Sequence, residues 1–346
     1  MAKKRLTWVD AAKGLLMIFV VIGHYPVKLD QPWITFIYWF HMPAFFILSG
    51  LFFKPVPQNE RILPYVKKRF MQLMIPYFFF LIVITALRYI LAIASHNFTL
   101  NYLRQDLYDL LLGGRFAGGS YGVIWFITTL FAAYILFLLI TRYFKPIVQI
   151  IILAIFYAIA QWEGQYVENL PGTIKEASLT IIIPWNLDVA LLAVVYLGIG
   201  YYLRKFIKDI HWSLWIASTL FITYHMYLTW HDRFDYHLSL KFIRYGEPIY
   251  DLLIPFTFVI SILGIIQWIT KKIRLKIFEF IEKHSIVIMY MHISVDKFAN
   301  DFIAYGLLGY TILGLAIPII ISVLMQRFVP VAPFLLGQPH VKKVSP

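Results

Sequence analysis

Residues Lys3–Tyr25 read KKRLTWVDAAKGLLMIFVVIGHY. The run has the length and apolarity of a membrane-spanning helix, yet it carries Asp10, Lys13 and His24. Lys13 and His24 are eleven residues apart, close to three helical turns, so they share one face about 16 Å apart along the axis. Ionisable groups are costly in lipid and usually face a bundle interior or a pathway. A face with a cation partway along and a histidine at its far end therefore reads as the lining of a passage.

Composition extends this reading to the whole chain. Of the 346 residues, 60% are hydrophobic and 14% charged, and the mean hydropathy is +0.72. Soluble domains carry far more charge, which makes the chain an all-α integral membrane protein. The long apolar runs are too numerous for a signal peptide followed by a soluble domain, and the first has no small-residue cleavage site after it. With no cysteine there is no disulfide, no thiolate nucleophile and no cysteine metal site.

Ten spans are expected, at 8–24, 33–53, 71–94, 121–141, 146–162, 178–203, 212–230, 249–270, 284–296 and 303–329. The ninth is short; it recruits part of the preceding LKIFEFIEKH or lies in a thinned or protein-lined region. With the amino terminus inside, twenty-one of the 31 Lys and Arg fall on the inner side and eight, Lys241 among them, on the outer. Lys13 and Arg88 lie within spans. Lys and Arg collect in cytoplasmic loops, so the bias favours two cytoplasmic termini. It also accounts for the net charge of +13 without nucleic acid as a partner. The expectation is a single domain over 1–346, a bundle of about ten transmembrane helices with no appended soluble domain, in the cell membrane. No internal repeat is evident, and the glycine-rich GGRFAGGSYG lacks the lysine and spacing of a phosphate-binding loop. NYLRQDLYDLLLGG before it, with Tyr102, Leu103, Leu107, Leu110 and Leu111, has the pattern of an interfacial amphipathic helix.

The deduced orientation gives depths to the polar residues. His24 ends the first span, and His41 stands about 12 Å below the outer start of the second. Asn186 and Asp188 fall in the outer half of the sixth span, and His292 and Asp296 in the outer half of the ninth. Three histidines and two carboxylates thus share a depth on four spans. Each also has a plainer reading. His24 suits an interfacial helix end, His41 a hydrogen bond to a neighbouring helix, and Asp188 an ion pair with Arg88. Pro43, Ser49 and Gly50 suit helix shaping, and Trp125 packing. On the inner side, Lys67, Lys68 and Arg69 precede one span, and Lys271, Lys272, Arg274 and Lys276 lie on another loop. These read as topology signals in contact with anionic lipid, or as a docking site for a phosphorylated donor such as coenzyme A.

These residues together resemble acyltransferase family 3, the multi-span membrane O-acyltransferases, and within it the fucose 4-O-acetylase-like branch. The family opening of aspartate, basic residue, glycine and a histidine ten residues on is matched by Asp10, Lys13, Gly14 and His24. Arginine is usual where this chain has Lys13, which keeps the charge but loses the planar fork. FHMPAFFILSGLFFK matches at His41, Pro43, Ser49 and Gly50, and KKRFMQLMIPYFF at Arg69 and Pro76. WFITTLF, PWNLDVALLAVVYLGIGYYLRK, YGEP and IVIMYMH follow in the expected order. The resemblance implies transfer of an acetyl or other short acyl group from cytoplasmic acyl-CoA, normally acetyl-CoA, to a hydroxyl of an extracytoplasmic glycan or lipid-linked sugar. Exopolysaccharide is one such acceptor, and no metal is expected. The implied catalytic residues are His24, as base or acyl carrier, Lys13, His41 and His292. The substrate-binding candidates are Asp10, Asp188, Asn186, Ser49, Arg69, Arg88 and Trp125. Other glycan-assembly proteins are possible partners, one of which would complete the transfer if this chain does not. A polysaccharide or lipid-linked-sugar exporter is the rival reading, since it too needs a polar passage.

The charge bias is directly testable. Single cysteines replacing Lys4, Lys68 and Lys342 should resist an impermeant thiol reagent in intact cells, whereas one replacing Lys28 should react. Labelling at position 342 without permeabilisation would overturn the ten-span count.

Overall fold

The structure, a computed structural model, describes residues 6–27, 32–299 and 304–338. Lys3, Lys4, Arg5, Lys28, Lys342 and Lys343 of the charge count lie outside the described residues. The described chain is helical: α1 Thr7–Gly23, α2 Trp33–Tyr38, α3 His41–Leu51, α4 Leu63–Ala94, α5 Leu100–Leu112, α6 Trp125–Tyr143, α7 Pro146–Glu168 and α8 Ile174–Leu179. It continues with α9 Val189–Tyr202, α10 Arg204–Lys208, α11 Trp212–Trp230, α12 Tyr250–Thr270, α13 Lys276–Lys283, α14 Ser285–Ala299, α15 Leu307–Phe328 and α16 Ala332–Leu335. Only an isolated bridge between Ser239 and Arg244 pairs extended backbone among the described residues.

Seven helical segments among the described residues have the length and apolarity to cross a bilayer. They are Trp33–Leu51, Leu63–Ala94, Gly119–Tyr143, Pro146–Glu168, Pro184–Tyr202, Tyr250–Thr270 and Leu307–Phe328. The other three expected spans are helices outside that set. With 17 and 15 residues, α1 and α14 are short, and α11 carries Ser213, Ser218, Thr219 and His225. Large apolar side chains such as Ile82, Ile90, Ile147, Leu220 and Leu308 stand exposed around the bundle, as expected where lipid replaces water. The chain is a helical membrane protein.

Two expected spans are not continuous helices. The second breaks at Trp39–Phe40 into α2 and α3, so His41 opens a helix instead of sitting inside one. The sixth, expected over 178–203, is interrupted before α9 by a short 3₁₀ turn at Pro184–Asn186. Pro184 keeps Ile183 extended (φ −112°, ψ 115°), and Trp185 and Asn186 both take positive φ. In contrast, the amphipathic helix forms as expected: Thr99 caps α5 by accepting from the Tyr102 amide at 3.1 Å.

The centre of the bundle is the crossing of α3 and α9. A Cβ on Gly50 would lie 1.8 Å from the Leu197 carbonyl oxygen, and one on Gly200 would lie 1.9 Å from that of Ile47. The two backbones thus touch at two reciprocal points, the contact that small residues permit between membrane helices. The first helix packs against α2, α3, α12, α13, α14 and α15. LKIFEFIEKH forms a separate helix, α13, whose Phe278 carbonyl takes the space that any side chain on Gly14 would need.

Gly50→Ala and Gly200→Ala should each lower the thermal midpoint of the detergent-purified protein. Overpacking typically costs about 1–3 kcal/mol. Gly118→Ala, where a Cβ meets nothing within 4 Å, should leave the midpoint unchanged.

Candidate active site

Of the three histidines of similar sequence depth, His24 adjoins both others: it packs against His292 and shares a cavity with His41. His24 caps α1, His41 begins α3 and His292 lies in α14. Each places Nδ1 on the carbonyl oxygen four residues earlier: Val20 at 2.7 Å, Ile37 at 2.7 Å and Ile288 at 2.8 Å. A carbonyl only accepts, so each Nδ1 donates and Nε2 is the ring nitrogen left to exchange a proton. The rings of His24 and His292 stand edge to face with centroids 5.0 Å apart. His292 is fully buried, and its Nε2 has no hydrogen-bond partner among the described residues. Tyr38 stacks edge-on against His41 at 5.0 Å and donates its hydroxyl to the Gly23 carbonyl at 2.8 Å, which pins α2 to the end of α1.

His24 and His41 line a cavity of about 240 Å³ together with Tyr38, Met42, Trp125 and Lys241. The turn containing Gly119 and Gly122 and the stretch Leu238–Phe242 close over it. On the Met17 and Val20 side of His24 is a second, apolar chamber of about 30 Å³, which Phe45, Phe126 and Met289 also line. His24, Met42 and Trp125 belong to both linings, so they form the partition between the two chambers.

The break in the sixth span builds the frame of this cavity. Asn186 is fully buried; its Oδ1 accepts from the Arg115 amide at 2.7 Å and its Nδ2 donates to the Lys241 carbonyl at 3.0 Å. One side chain therefore ties together the two loops that close the cavity. Asp188 accepts from the Val189 amide at 2.9 Å and forms an ion pair with the buried Arg115. The alternative pairing of Asp188 with Arg88 is wrong. Arg88 instead pairs with Asp106 of α5, donates to the Tyr102 hydroxyl at 2.9 Å and lies over the Tyr121 ring. The turn after α4 returns α5 toward the last turns of α4 and brings Asp106 to Arg88, a contact that no sequence spacing encodes.

The remaining candidates lie elsewhere. Lys13 is 3.7 Å from Glu282 of α13, toward the other end of α1, and Asp10 is buried one turn before it. Ser49 sits two turns beyond His41, outside the cavity lining. Arg69 stacks over Tyr65 and Tyr134 and donates to Gln72 at 3.2 Å. Asp296 accepts from the Tyr305 hydroxyl at 2.9 Å. Lys241 was read from the sequence only as an outer topology charge. Its Nζ donates to the carbonyls of Gly122 at 3.0 Å and Ala117 at 3.2 Å, and burial, with a smaller effect from nearby Lys175, lowers its pKa to about 7. The turn between Ser239 and Arg244, in which Ile243 has positive φ, carries it inward. Among the described residues no group of three His, Asp or Glu side chains is arranged to hold a metal ion.

Comparison with known proteins decides the family. A family model described as an acyltransferase domain matches residues 6–327. The chain belongs to acyltransferase family 3. The match takes in the histidine cluster, both broken helices and the loops over the cavity. The chain is also similar to nodulation protein NolL of Mesorhizobium japonicum, at 29% identity over 151 residues. That stretch covers 41% of this chain and 38% of NolL, well under half of the relative's length. No solved structure matches the chain significantly.

The ion pair under the cavity gives a stability test. Removing one partner of a buried pair strands the other charge, at a cost of about 3–5 kcal/mol. Asp188→Ala and Arg115→Ala should each sharply reduce the folded protein recovered from membranes. The double variant Asp188→Leu, Arg115→Met should recover most of it, as measured by size-exclusion yield and thermal midpoint.

Proposed function

We propose that the chain is a membrane O-acyltransferase that passes an acetyl or other short acyl group from cytoplasmic acyl-CoA, normally acetyl-CoA, to a hydroxyl of an extracytoplasmic glycan or lipid-linked sugar. The observation that supports this is the position of His24. It stands in the partition between the apolar chamber on the Lys13 side and the wider cavity under the outer loops, with Nδ1 committed to Val20. In this reading the protein sits in the cell membrane with about ten crossings and both termini in the cytoplasm, as the charge bias favours. Lys13, one-third exposed, meets the donor's phosphates at the inner end, and the acyl thioester approaches His24 through the narrow chamber.

The acceptor hydroxyl lies in the outer cavity and gives its proton to His24 Nε2 as its oxygen bonds to the thioester carbonyl carbon. Collapse of the tetrahedral adduct breaks the C–S bond, and the departing thiolate takes the proton from the imidazolium, leaving ester and free CoA thiol. A covalent version has Nε2 attack the thioester carbonyl first, breaking the C–S bond and releasing CoA thiolate; the hydroxyl oxygen then takes the acyl group from Nε2, and its proton passes to the thiolate. His292 packs against His24, and His41 shares the acceptor cavity. Trp125 forms the adjoining wall, while Asn186 and Asp188 hold the loops that shape it.

The deciding measurement is ester content per sugar residue on isolated surface glycan, beside total glycan yield, in a strain expressing the variant at normal level. His24→Ala should remove the alkali-labile acyl groups at unchanged glycan yield. Positioned proton transfer alone contributes about 10²–10⁴-fold. Reduced yield with unchanged ester per sugar would instead establish an exporter.

A further inference from the structure

The cavity lining contains one charged side chain, Lys241, and no Asp, Glu, Asn or Gln. An ammonium has three donors; Lys241 gives two to the neutral carbonyls of Ala117 and Gly122, and one remains. No carboxylate among the described residues pairs with it. The carboxylates of the surrounding elements are engaged elsewhere: Asp188 with Arg115, Asp296 with Tyr305, and Asp251 with Gln161 and Tyr236. A second ammonium reaches the same turn. Lys297 Nζ stands 2.8 Å from the point a Cβ on Gly119 would occupy, and Lys241 Nζ stands 4.0 Å from that on Gly122. Exposed Lys175 adds to the positive field at Lys241.

A partly buried ammonium without a counter-charge gives up its proton more readily, as the lowered pKa of Lys241 reflects, and an anion beside it restores the charged form. The bonds to Ala117 and Gly122 explain where the ammonium is anchored but leave its charge uncompensated. Charge-assisted hydrogen bonds to carboxylate or phosphate are the strong contacts an ammonium makes. A neutral sugar would leave the charge unmet.

We infer that the outer cavity is an anion-binding acceptor subsite, in which Lys241, with Lys297 at the rim, holds a carboxylate or phosphate borne by the sugar that receives the acyl group. This rests on the reading of the cavity as the acceptor site. It makes Lys241 a specificity-determining residue: the anion anchors the sugar and presents a nearby hydroxyl to the His24 side of the cavity.

The binding claim is tested without the native acceptor. In the detergent-purified protein at pH 8, an amine-directed acylating reagent modifies Lys241, and peptide mass spectrometry follows the rate. Saturating glucuronate or inorganic phosphate should slow modification of Lys241 about tenfold, the effect of a 1.4 kcal/mol preference, while glucose at the same concentration should not. Protection by glucuronate identifies a carboxylate source, and protection by phosphate a phosphate source. His24→Ala should retain the protection, because binding does not need the base. Equal rates with glucuronate, phosphate and glucose would overturn the subsite. The acceptor claim is tested on surface glycan. Ester groups should fall on sugars that carry or adjoin an anion, Lys241→Arg should keep them, and Lys241→Gln should deplete them at normal protein level. Esters on uncharged sugars remote from any anion would overturn it. Full esterification in His24→Ala would instead overturn the role of His24 as base or acyl carrier, independently of the protection result.

Discussion

Backbone polar groups at membrane depth must be bonded within the protein, and this constraint organises the site. Non-helical backbone is tolerated there only where protein or an internal cavity supplies partners. Both broken spans obey it through side chains. At the first break, His41 Nδ1 reaches the Ile37 carbonyl across the gap. At the second, the Trp185 carbonyl receives the Thr128 hydroxyl at 2.9 Å, and the Asn186 side chain bonds the backbone of two other loops. The breaks are thus polar junctions: Tyr38 and His41 beside the first line the cavity, and Asn186 of the second braces the loops over it.

Rigidity comes from the other kind of contact. Helices in lipid gain little from burying apolar side chains against one another, so close backbone approach matters more. The reciprocal contacts of Gly50 with Leu197 and Gly200 with Ile47 lock α3 to α9. That crossing carries His41 at the head of α3 and the Asp188 cap at the head of α9, so one contact positions both sides of the site. The buried Arg115–Asp188 pair then fixes the glycine-rich loop over it.

Charge is distributed unevenly across this framework. The three histidines each commit Nδ1 to a backbone carbonyl and keep Nε2 for exchanging a proton. The loops above it supply a cation near which no carboxylate is free. Base and charge anchor occupy different walls of one small space, so an acceptor held by one is presented to the other. Lys13 is at the opposite end of α1, paired with Glu282.

Much of this was legible in the residues. Apolar runs and the asymmetry of Lys and Arg determine a helical membrane protein, because hydrocarbon admits no unpaired backbone and few charges. The spacing of Asp10, Lys13, Gly14 and His24, with the later motifs in order, determined the family. Depth along each span placed His24, His41 and His292 at one level, since rise per residue is constant. What depth does not supply is the rotation of each helix or the path of the loops. Tertiary structure therefore decided that His24 and His41 share a cavity while Arg69 and Ser49 do not line it. It exchanged Arg88 for Arg115 as the partner of Asp188, and it broke two runs that hydropathy reads as continuous. It also turned Lys241 from a topology charge into a cavity wall, because a loop's inward fold is set by the long-range bonds to Asn186, Ala117 and Gly122 and not by any local periodicity.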